Sequence, residues 1–118
     1  MTKKWKMGYK LVSTEYGKML SLTLSKLNAS EYKIGKITRP KKGWGPIALF
    51  DTKENVEEFC NIYGWRTIYV KLLTVKYIPS RLKFLRKIGA YKAIHIYNNV
   101  PKGTLFAREV KPIKIERR

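Results

Sequence analysis

The chain is poor in the residues on which most chemistry depends. It has no glutamine, one histidine (His95) and one cysteine (Cys60), and from Glu58 to Glu109 it runs for fifty residues without a carboxylate. A single cysteine excludes an intramolecular disulfide and gives no sign of an oxidising compartment. With His95 alone, no multi-histidine metal site or imidazole relay has its parts, and a Cys60 nucleophile would need His95 beside it, which nothing in the spacing suggests. Long apolar runs are missing too: nothing approaches the roughly eighteen residues that a membrane-spanning helix needs. The basic start MTKKWKMGYKL lacks an apolar core of useful length, so no signal peptide is expected. These absences lead to the expectation of a soluble protein, cytoplasmic or packaged in a particle made inside a cell, with no membrane partner.

What is present is positive charge. The 118 residues carry 26 basic against 8 acidic side chains, a formal +18, with a pI near 10.2. Ten of the fifty residues in the carboxylate-free stretch are lysine or arginine. Such an imbalance repels itself in the compact state, and a polyanion relieves it. Nucleic acid is the commonest polyanion, because each neutralised phosphate releases a condensed counterion. Three Trp, eight Tyr and four Phe, with 44% hydrophobic residues, argue for a folded core rather than a basic tail. We read one domain over 8–116, preceded by a basic N-terminal arm at 1–7. Abundant Lys, Ile and Tyr without glutamine also suit a thermophile or an AT-rich genome.

Periodicity predicts the elements. Tyr9 to Val12 reads as a short strand, Gly17 as a turn residue, and Lys18 to Leu27 as a half-buried strand in which Leu20, Leu22 and Leu24 alternate with Ser21, Thr23 and Ser25. Together they predict a hairpin. Glu31 to Thr38 is a weaker strand with Tyr32 and Ile34 on one face. Glycine and proline exclude regular structure from Arg39 to Pro46, and Ile47 to Phe50 reads as a buried strand. Asp51 and Glu54 resemble a capping box opening a helix over about 52–63, stopped by Gly64, with Val56, Phe59, Cys60 and Tyr63 facing the core. Thr67 to Tyr77 is expected to be the longest central strand. Pro79-Ser80 can cap a short basic helix over about 81–88, succeeded by a strand over Ala93 to Tyr97 and a turn from Asn98 to Gly103. Thr104 to Val110 alternates again, and Pro112 is expected to confine the C-terminal residues to a sheet edge. The fold class is α+β, built on a mainly antiparallel sheet.

Little of this can do chemistry. Asp51, Glu54, Glu57 and Glu58 crowd the first turns of the helix, where its dipole favours them. Glu15, Glu31, Glu109 and Glu116 stand apart in sequence, and no phosphate-binding loop, dinucleotide fingerprint, EF-hand or zinc spacing occurs. Cys60 on the apolar stripe reads as an inert buried thiol, and His95 as a strand residue without a partner. We therefore expect no catalytic residue, metal or cofactor. The rival is a small transferase or nuclease assembled from scattered Glu, Tyr and Arg.

Two basic clusters remain. Arg39, Lys41 and Lys42 precede Trp44, which lies between Gly43 and Gly45. Glycines let a backbone approach a ligand, lysines suit phosphate oxygens, and an indole face can stack a base. The competing reading folds Trp44 back over the core. Arg81, Lys83, Arg86, Lys87 and Lys92 form the second cluster, with Lys76 and Arg66 adjacent and no acid near in sequence. A positive helix face beside a sheet suits a phosphate backbone. The expectation is non-catalytic, largely sequence-independent binding of RNA or DNA. The alternative is a viral effector or structural component with an acidic protein partner.

Three stretches carry a resemblance: Tyr32-Lys33-Ile34-Gly35, then Gly45-Pro46-Ile47-Ala48-Leu49-Phe50-Asp51-Thr52 with Asn55 and Phe59, and Pro101-Lys102-Gly103-Thr104-Leu105-Phe106-Ala107. The chain from Tyr9 to Val110 resembles small phage, prophage and archaeal-virus proteins that have no assigned activity. The resemblance implies a viral or mobile-element origin, with a virion or the host cytoplasm as location. It assigns no functional residue.

Overall fold

The computed structural model describes residues 4–14, 17–21, 31–40, 46–63, 70–81 and 102–116. Over these the chain runs β1 (Lys6–Ser13), β2 (Met19–Ser21), β3 (Glu31–Tyr32), β4 (Ile47–Phe50), α1 (Lys53–Tyr63), β5 (Val70–Pro79) and β6 (Thr104–Glu116). The six strands form one antiparallel sheet, as the alternating sequence pattern predicts, and a single helix is seen among the described residues.

The sheet closes on itself. β1 pairs with β5 from Lys6 opposite Tyr77 to Ser13 opposite Val70. β5 then pairs with β6, β6 with β4, and β4 returns to β1 where Tyr9 faces Phe50. The far half of β1 turns instead to β2, Val12 opposite Ser21, and β2 pairs with β3. After β3 the chain folds back along β6: the Gly35 N–H donates to Pro112 O at 2.8 Å, and Thr38 and Val110 exchange both backbone bonds. Closure gives the backbone groups of these strands partners that an open sheet would leave at its edges.

Closure also sorts the side chains into two cores. Val12, Tyr32, Leu49, Leu73, Val75 and Val110 fill the barrel interior, with Met19 and Leu105 at its margin. Leu11, Phe50 and Leu72 point outward and meet Val56 and Cys60 of α1. β6 serves both layers by changing phase. Glu109 faces Ile78 while Ala107 faces Pro79, so Arg108 has no residue opposite and forms a bulge. The inward positions thus shift from Leu105 and Ala107 to Val110 and Pro112. Truncating the fully buried Leu73 to Ala would leave a cavity costing about 2–5 kcal/mol.

Several expected boundaries move. β1 begins at Lys6, so the last two residues of the expected arm belong to the sheet. In β2 the residue packed on the core is Met19, opposite Tyr32, whereas Leu20 lies opposite Glu31; Leu22 and Leu24 fall outside the described residues. Glu31–Thr38 is not one strand. Gly35 takes a left-handed conformation (φ 80) that bends the segment, leaving Ile34 exposed instead of sharing the buried face of Tyr32. The helix starts later than its expected capping box. Thr52 Oγ1, not Asp51, accepts the Asn55 N–H at 3.1 Å, and Asp51 bonds Asn55 Nδ2 instead. Phe59 is only half-buried, its ring tilted against Phe50 at a centroid distance of 5.3 Å. Among the described residues β6, not β5, is the longest strand, and it passes through a fully buried Pro112. A register shift between Thr74 and Val75 accommodates the proline, which has no N–H to donate. Apart from Arg81, the expected helix over about 81–88 lies outside the described residues, as do residues 67–69 of the expected central strand, the strand over Ala93 to Tyr97 and the Gly64 stop.

Candidate nucleic-acid interface

Charge is segregated on this scaffold. Four of the seven described carboxylates, Asp51, Glu54, Glu57 and Glu58, lie on α1 or just before it. Each of the other three has a cation at hand. Glu31 sits 3.8 Å from Lys33, and Glu116 lies 3.4 Å from Lys53 and 3.5 Å from Lys114. The Thr74 hydroxyl donates to Glu116 and is the first cause holding that carboxyl below its ordinary value, with Lys53 and Lys114 adding to it against burial. Glu109, with a side chain only 9% exposed, faces Arg39 at 3.6 Å.

That last pair changes the standing of one expected contact. Arg39 is exposed, but its guanidinium is engaged with a largely buried carboxylate, so part of its charge is already matched. Arg81 is exposed just past β5, where the Ser80 N–H donates to Phe106 O. Arg39 comes just after the Thr38 bridge on the other edge of β6, so the two arginines flank that strand, with anchor points roughly 13 Å apart along it. Lys41, Lys42, Trp44, Lys83, Arg86, Lys87 and Lys92 lie outside the described residues, as does His95.

Sequence spacing set Lys76 beside the second basic cluster but missed Lys111, which strand register brings next to it. On the barrel's outer face, Lys76 of β5 lies opposite Lys111 of β6 and, on its other side, opposite Met7 of β1. The neighbours Val75, Tyr77, Val110 and Pro112 are buried in the interior, so alternation turns both lysines outward. Neither makes an ion pair among the described residues. The only signal in the sequence is that both are lysines flanked by buried-type residues; their adjacency needs the register.

Lys10 is the contrasting lysine. It lies on the inward side of β1, half-buried, where that strand leaves β4 for β2. Its ammonium donates to Ala48 O at 2.6 Å and lies 5.8 Å from the centre of the Tyr32 ring. Burial lowers its pKa to about 8. The ammonium is met by a backbone carbonyl at the fork in the barrel wall, and not by a carboxylate among the described residues.

Among the described residues no helix is long and apolar enough to cross a membrane, and no group of three His, Cys, Asp or Glu side chains is placed to hold a metal ion. Cys60 is buried against the barrel. No protein-family model matches the chain, and no curated protein or solved structure matches it either.

Proposed function

We propose that this protein binds nucleic acid through the phosphate backbone, without catalysis and largely without sequence preference. The observation that supports the reading is the segregation of charge. Among the described residues fifteen basic side chains accompany seven carboxylates, and those carboxylates are gathered at α1 or matched by cations, so the described barrel surface away from α1 carries an excess of positive charge. A surface of one sign attracts a polyanion along its length rather than one small acidic ligand. The resemblance of Tyr9 to Val110 to phage and archaeal-virus proteins supports a viral or mobile-element origin, with action in the host cytoplasm or a virion.

The rival partner is an acidic protein. Protein freed of co-purifying nucleic acid, bound to a labelled oligonucleotide at low salt, should be displaced by unlabelled DNA or RNA. An acidic protein at the same charge concentration should compete poorly. Equal competition, or no complex with any oligonucleotide, would reject the reading.

A further inference from the structure

Lys76 and Lys111 stand directly opposite each other on antiparallel strands. Residues so paired have Cβ atoms about 4.5–5.5 Å apart, and like charges in that relation destabilise the sheet. Folding gains nothing visible from the arrangement. The nearest carboxylates on β6 face other cations: Glu109 pairs with Arg39, and Glu116 is held by Thr74, Lys53 and Lys114. Met7, 54% exposed, extends the same row across β1. The row thus sets one exposed apolar side chain beside two opposed lysines.

We propose that the Met7–Lys76–Lys111 row is where a nucleic-acid strand crosses the barrel, with backbone phosphate between the two lysines and Met7 against sugar or base. The proposal rests on the nucleic-acid reading and locates its contact surface. Charge complementarity selects the occupant. Two ammonium groups at one strand-pair spacing match closely spaced phosphate oxygens, and the three residues come from adjacent strands on the barrel's outer face, giving a continuous path across it. Arg39 plays a lesser part, because Glu109 already holds it.

The test compares Lys76→Gln/Lys111→Gln with Lys71→Gln/Lys102→Gln, which removes two exposed lysines elsewhere. Binding to labelled single- and double-stranded oligonucleotides is titrated with salt. The row variant should lower the magnitude of the log–log slope by about 1.4 on single strands or about 1.8 on duplex DNA, while the control variant keeps the wild-type slope. Lys111→Glu adds a second readout: it places opposite charges across the strands, so its thermal midpoint should rise while its binding falls. Equal slope losses in the two double variants, or a row variant that binds like wild type, would overturn this placement and leave nucleic-acid binding standing. Failure of the wild type to bind any oligonucleotide, or its capture by an acidic protein instead, would overturn both.

Discussion

Gly8 lies where β1 passes against β4. A Cβ there would come within 2.6 Å of Leu49 Cδ1 and 3.2 Å of Tyr77 Cε1, both in the barrel interior. Gly8→Ala should therefore destabilise the protein by about 1–3 kcal/mol through overpacking, read from urea unfolding. Lys10, two residues on, makes a pH-dependent prediction. Its folded-state pKa of about 8 lies below the ordinary 10.5, so between those values the unfolded chain binds the proton more tightly. Stability contributed by this group therefore rises as pH climbs from about 8 to 10.5. Lys10→Met should lack that rise and should match or exceed wild-type stability at pH 7, where the wild type holds a buried charge. Tyr77 acts in the opposite sense, its hydroxyl pushed up by burial and then by Asp51. Only the difference between variant and wild type isolates Lys10; parallel pH profiles would contradict the assignment.

At the scale of elements, α1 was legible from its period and its acidic start, because Val56 and Cys60 recur four residues apart and both become fully buried. Its details were not. The helix lies on the outside of a barrel, so its contact stripe is narrow and Phe59 falls at the margin. Phe59→Ala should accordingly cost about half of a full aromatic deletion, roughly 1.5–2.5 kcal/mol. Thr52→Ala should cost about 1 kcal/mol by removing the side-chain acceptor of the Asn55 N–H. Circular dichroism melts of the two variants check both values. The β1–β2 hairpin was also legible, from alternation and a turn glycine. The Glu31–Thr38 segment was not, because alternation cannot register one left-handed residue, Gly35, that turns a strand into a bend and a single bridge.

Closure belongs to the whole molecule. It depends on β1 meeting β5 and β4 meeting β6 across long stretches of chain, and local periodicity carries no information about such pairings. The same limit applied to the interface. Runs of basic residues were visible in sequence, but Lys76 and Lys111 become neighbours only through register, and Arg39 is matched by Glu109 only through the Thr38 bridge. The most direct measurement of the central claim is the wild-type salt dependence of binding to labelled single- and double-stranded DNA and RNA. The charge distribution predicts tight binding at low salt to many sequences alike, falling steeply with a log–log slope of about −0.9 per phosphate neutralised on duplex DNA. Absence of binding at low salt, or an affinity that salt leaves unchanged, would contradict it.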